Sequence, residues 1–119
     1  MPSKIKNEYG LITIENEVIA RVAGVAAMDC YGIVGMAAKN VKDGIVQLLK
    51  RESLTKGIKL LVLEEGFVID VHIIVEYGTN IAAIADSIMN TIKYKVEEFI
   101  GIKVARINIF VEGVRVDNN

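Results

Sequence analysis

The chain has 119 residues, of which 52% are hydrophobic and 24% charged, with a formal net charge of −1 and a single cysteine. That is enough chain for one ordinary core, and its composition is that of a folded domain rather than a disordered one. The near-neutral charge gives no general attraction to nucleic acid or anionic membrane, and the lone Cys30 excludes an internal disulfide and hence a secreted disulfide scaffold.

Aromatic residues are few and tryptophan is absent, so the core must be built from Val, Ile, Leu and Ala. The N-terminus lacks the apolar stretch of a signal peptide. No apolar run approaches the roughly 20 residues of a membrane helix. A reducing, cytosolic location is the expected default, and a single domain over 1–119 is expected, with an ordered core at about 9–114.

In chain order, Met1 to Glu8 is polar and reads as a frayed end, while Tyr9 to Ile14 reads as a short strand. Glu15 to Met28 reads as a helix, with Val18, Ile19, Val22, Val25 and Ala26 at helical spacing on the expected core side. Its Ala20, Ala23, Gly24 and Ala27 make it thin, which suits a close approach by a neighbouring backbone. Asp29 to Lys39 contains two glycines and reads as a loop. Asp43 to Arg51 reads as a second, shorter helix with Ile45, Val46, Leu48 and Leu49 inward.

Ile58 to Leu63 and Phe67 to Glu76 read as two strands of a hairpin around Glu64-Glu65-Gly66. In the second strand Phe67, Ile69, Val71, Ile73 and Val75 share one face, and Val68, Asp70, His72, Ile74 and Glu76 share the other. Thr79 or Asn80 is placed to cap a long helix from Ile81 to about Ile100, with Ile81, Ile84, Ala85, Ile88, Ile92, Val96 and Phe99 as its stripe and Gly101 as its stop. Val104 to Val111 reads as the last strand, with Ala105, Ile107, Ile109 and Val111 on one face and Arg106, Asn108, Phe110 and Glu112 on the other. Asp117 to Asn119 is a polar tail.

The order β-α-α-β-β-α-β predicts an α+β fold of two layers: a small mixed sheet of three to four strands with helices on one face and the other face at least partly open. The long helix between the last two strands is long enough for a right-handed crossover, which places those strands parallel.

Chemistry is harder to find. His72 lies two residues from Asp70, with Arg106 expected across from them, but no second histidine and no activated nucleophile accompany them. One His and one Cys cannot complete the usual zinc sets, and the carboxylates lack calcium-loop spacing. Walker, Rossmann and nucleophile-elbow motifs are absent. No catalytic, cofactor or metal residue is nominated. Gly32-Ile33-Val34-Gly35 spells the GxxG of KH nucleic-acid domains between two predicted helices, although its central residues are apolar where phosphate contact favours basic ones. A half-apolar, half-polar outer sheet face of Val68, Asp70, His72, Ile74, Arg106, Asn108 and Phe110 is the expected interaction surface.

Four blocks carry a wider likeness: Gly10 to Ile14 leading into Glu17-Val18-Ile19-Ala20 and Ala23; Gly32-Ile33-Val34-Gly35-Met36; Val75-Glu76-Tyr77-Gly78 with Asn80-Ile81; and Val104 to Gly113. In order and spacing, over about residues 9 to 114, the chain resembles the alkaline shock protein (Gls-type) envelope stress response family of Gram-positive bacteria. One departure is Asp29-Cys30-Tyr31, where the family often carries a proline before the glycine loop. The resemblance implies a non-enzymatic cytoplasmic protein of envelope homeostasis that associates with itself or with a membrane-anchored protein. It implies no cofactor and supplies no catalytic residue. The alternative is a KH-like RNA-binding domain using Gly32 to Gly35.

Overall fold

The computed structural model describes residues 3–39, 46–49 and 51–116. Its organising strand is β6, Gly66–Glu76, which alternates between half-buried and buried positions as far as Val75 and ends on the exposed Glu76. Phe67, Ile69, Val71, Ile73 and Val75 are all 3% exposed or less, as the period-two pattern requires.

Three strands pair with β6. β7, Val104–Arg115, runs parallel along one side from Phe67 to Glu76. The other side is shared: β5, Ile58–Leu63, runs antiparallel over Gly66 to Val71, and β3, Ile33–Lys39, runs antiparallel over Ile73 to Val75. β4, Val46–Leu48, extends the sheet outward from β3. The result is a mixed five-stranded sheet in an α+β fold, with β7 reached through the expected long helix. A separate antiparallel hairpin, β1 Ser3–Asn7 with β2 Gly10–Ile14, precedes it.

The helices are α1, Asn16–Met28, and α2, Ile81–Lys95. They pack against each other over the inner face of the sheet, and Ile19, Ala23, Ile88, Ile92 and Val96 join β6 in one core cluster. The Asn80 side chain accepts from the Ala83 N–H at 3.1 Å, capping α2 as expected. One wide helical turn, Val96–Ile100, follows, and Gly101 ends it with φ 82°.

Several expectations need correction. The polar start is not frayed at Ser3–Asn7, which forms β1; the Asn7 side chain accepts from the Tyr9 and Gly10 N–H groups and closes the turn. In α1 the inward side is the thin one. Ala20, Ala23, Gly24, Ala26 and Ala27 are buried beside Ile19, whereas Val18 and Val25 are each 47% exposed. A Cβ at Gly24 would lie 3.3 Å from Leu54 Cβ, so close approach decides which face turns in. In α2 the ends of the predicted stripe, Ile81 and Phe99, are exposed, and Ile100 is buried instead.

The predicted loop Asp29–Lys39 is largely β3, and within the predicted helix Asp43–Arg51 the segment Val46–Leu48 is β4. Positions 43–45 and 50 of that predicted helix lie outside the described residues. A 3-10 helix, Arg51–Gly57, then leads to β5. Gly32 turns the chain with φ 87° where a side chain would strike Ile84, and Gly35 is covered by Leu48. These glycines make room for neighbours within the packed fold. They do not sit in a loop between two helices, and the KH-like alternative loses the context on which it rested.

Candidate interaction face

The outer face of the sheet is built by register. On β6 it presents Val68, Asp70, His72 and Ile74. β7 sets Arg106 beside Val68, Asn108 beside Asp70, Phe110 beside His72 and Gly113 beside Ile74. Bulges at Ala105 and Glu112 keep the outward residues of the two strands in step. All seven predicted residues share this face, with Gly113 between Ile74 and open space.

Asp70, His72 and Asn108 are hydrogen-bonded within the face. Asn108 Nδ2 donates to Asp70 Oδ1 at 2.9 Å. His72 Nδ1 lies 3.0 Å from Glu112 Oε1; the carboxylate accepts, so the bond selects the tautomer with its proton on Nδ1. The His72 ring stacks on Phe110 with centroids 4.8 Å apart. Asp70 and His72 therefore point to different partners, and Arg106 lies beside Val68. Asp70, His72 and Arg106 are not brought together as a catalytic set.

The face extends further than the sequence suggested. The two-residue turn at Glu64 and Glu65 sets Leu63 opposite Gly66, Leu61 opposite Val68 and Lys59 opposite Asp70. Leu61 and Leu63 are 58% and 42% exposed, and Phe110 is 42% exposed. Hairpin register was the available signal: a turn of two residues fixes which β5 side chains share a face with Val68. Glu112, already assigned to this side of β7, joins through His72.

Elsewhere the chemistry is sparse. Cys30 is buried after α1, its thiol 3.6 Å from the Ala26 carbonyl oxygen. A cleft of about 340 Å³ lies between α1 and the β3–β4 pair, lined mainly by Val25, Met28, Val34, Leu48, Leu49 and Leu54. Among the described residues Asp29 is the one ionisable side chain in its lining. Among the described residues no group of three or more His, Cys, Asp or Glu stands close enough to hold a metal ion. No helix among them is long and apolar enough to cross a membrane.

Comparison with known proteins adds a family to this geometry. The chain is 48% identical over 119 residues to the uncharacterized protein YloU of Bacillus subtilis strain 168, covering 99% of both chains. It is 32% identical over 117 residues to the uncharacterized protein Spy1614 of Streptococcus pyogenes serotype M6, covering 98% of this chain and 97% of that one. A stress response regulator gls24 homolog of Streptococcus pyogenes serotype M3 is 26% identical over 109 residues, and there the match spans 59% of the relative's length. No solved structure matches. The model of the alkaline shock protein 23 family, described as having a cell envelope-related function, matches residues 4–116, and the chain belongs to that family.

Proposed function

We infer that the protein is a non-enzymatic scaffold in the cell-envelope stress response, working by self-association or by holding a membrane-anchored partner. The observation that carries this reading is the outer sheet face. Leu61, Leu63 and Phe110 stand exposed beside Asp70, His72 and Asn108, whose hydrogen bonds are made within the face, so a partner could cover the apolar part without stranding those three groups. Family membership supports the envelope role, and the gls24 homologs' name supports a link to stress response. The protein would act in the cytoplasm, reaching the membrane through its partner.

The test is sedimentation of the wild type against Phe110→Asp over a wide concentration range. The wild type should associate and the variant should shift toward monomer, with unchanged circular dichroism. A second arm is a pull-down from native membranes with both proteins. Wild type that stays monomeric and retains no membrane protein overturns the reading.

A further inference from the structure

The five-stranded sheet stops at β7. That strand is bonded to β6 along one side only, and no described strand pairs with the other. Its open side offers the backbone N–H and C=O groups of alternate residues along a 12-residue strand. Long open edges are usually blunted by charged side chains, Pro or bulges; β7 has no Lys or Pro, and its two bulges, at Ala105 and Glu112, leave Arg106 to Val111 regular between them. The inner side of the strand is unfinished too. Ile69, Val71 and Ile73 of β6 are fully buried, while their neighbours Ile107 and Ile109 are half-buried and Val111 is 37% exposed.

We propose that a second copy of the chain completes this edge, β7 against β7, antiparallel about a two-fold axis through Ile109. In such a pairing, residues equally far from the axis on the two copies face each other. Three positions to either side stand Arg106 and Glu112, so Arg106 faces Glu112 of the partner subunit, and symmetry makes the pair twice. Moving the axis by one residue sets Arg106 against Phe110 or Val114 instead. Of these three registers only the one about Ile109 sets unlike charges opposite each other within the strand; at its margin it also brings Arg115 towards Lys103 of the partner subunit, one residue before β7, so the charge preference rests on the two Arg106–Glu112 pairs. In that register Ile107 meets Val111 and Ile109 meets itself on the inner side, covering the apolar surface left open there. Arg106 has no carboxylate within ion-pair distance among the described residues, and Glu112 uses Oε1 for His72.

The pairing gives a sheet continuous across two subunits, with both outer faces on the same side. It rests on the self-association reading above and supplies a contact for it along the sheet edge, drawing only Arg106 and Glu112 from the outer face.

The experiment is native mass spectrometry of the wild type, Arg106→Glu, Glu112→Arg and an equal mixture of the two variants, with circular dichroism to confirm folding. Each variant alone opposes like charges at both positions and should weaken the dimer by at least roughly tenfold. The mixture restores opposite charges at both positions and should form a heterodimer close to wild-type affinity. If the wild type associates and the mixture does no better than its components, the edge register is overturned while self-association stands. Wild type that stays monomeric overturns both. An arm without charge changes uses Ile109→Cys in a Cys30→Ser background: air oxidation should join two chains at position 109, and Val111→Cys should not join. The reverse pattern overturns the axis.

Discussion

The imidazole of His72 lies nearly parallel to the ring of Phe110, with planes 12° apart and centroids separated by 4.8 Å, across the β6–β7 pair. Glu112 holds the same imidazole at Nδ1. The one histidine in the chain is thus engaged on its face and at one nitrogen, which makes it part of the sheet's surface packing. A double-mutant cycle measures that packing. His72→Ala and Phe110→Ala should each cost about 1 kcal/mol in urea unfolding, with a coupling of roughly 0.5–1 kcal/mol. Additive effects would mean that the stack contributes nothing beyond its area.

Gly66 should be the least replaceable turn residue. Its φ is 137°, and a Cβ there would sit 2.6 Å from the Lys103 carbonyl oxygen. The Phe67 N–H bonds to that same oxygen at 3.0 Å, so the contact cannot relax without losing the start of the β6–β7 pairing. Gly66→Ala should destabilise by about 3 kcal/mol or more, seen as a lower urea midpoint. A change below about 1 kcal/mol would show that the corner can shift.

The start of α2 depends on one side chain. Asn80→Ala should cost about 1 kcal/mol, and Asn80→Asp should keep most of the stability because it still offers an oxygen to the Ala83 N–H. Equal losses for both would mean that the cap contributes little.

Neighbouring residues of α1 should respond very differently. Ile19 is fully buried and Val18 is 47% exposed. Ile19→Ala should cost about 2–5 kcal/mol, and Val18→Ala should stay within roughly 0.5 kcal/mol. Similar effects at both positions would contradict the packing of the thin face.

What could be read in advance follows from periodicity. β6 is buried on one face and half-covered on the other, so its alternation is clean, and its neighbours β5, α2 and β7 followed from the turn, the cap and the second alternating run. The outer-face residues of β6 and β7 were legible for the same reason. Gly32 and Gly35 misled, because a glycine reads as a break in sequence whereas here it admits Ile84 and Leu48. In α1, alanines outrank valines for the interior, and Gly24 between them admits Leu54, so closeness of approach matters more there than side-chain size. The 46–48 segment is too short for periodicity to separate strand from helix, and only its pairing with β3 decides. Leu61 and Leu63 were invisible as surface until the hairpin register was fixed.

Because one flank of β6 is divided between β3 and β5 and its whole opposite flank belongs to β7, the strand is finished only by contributions from both ends of the chain. During synthesis the hairpin partner arrives at once, but the parallel neighbour comes a full helix later. Until then the central strand, with five of its side chains destined for the core, has a bare flank, which makes the nascent chain slow to close and prone to mispairing with its neighbours.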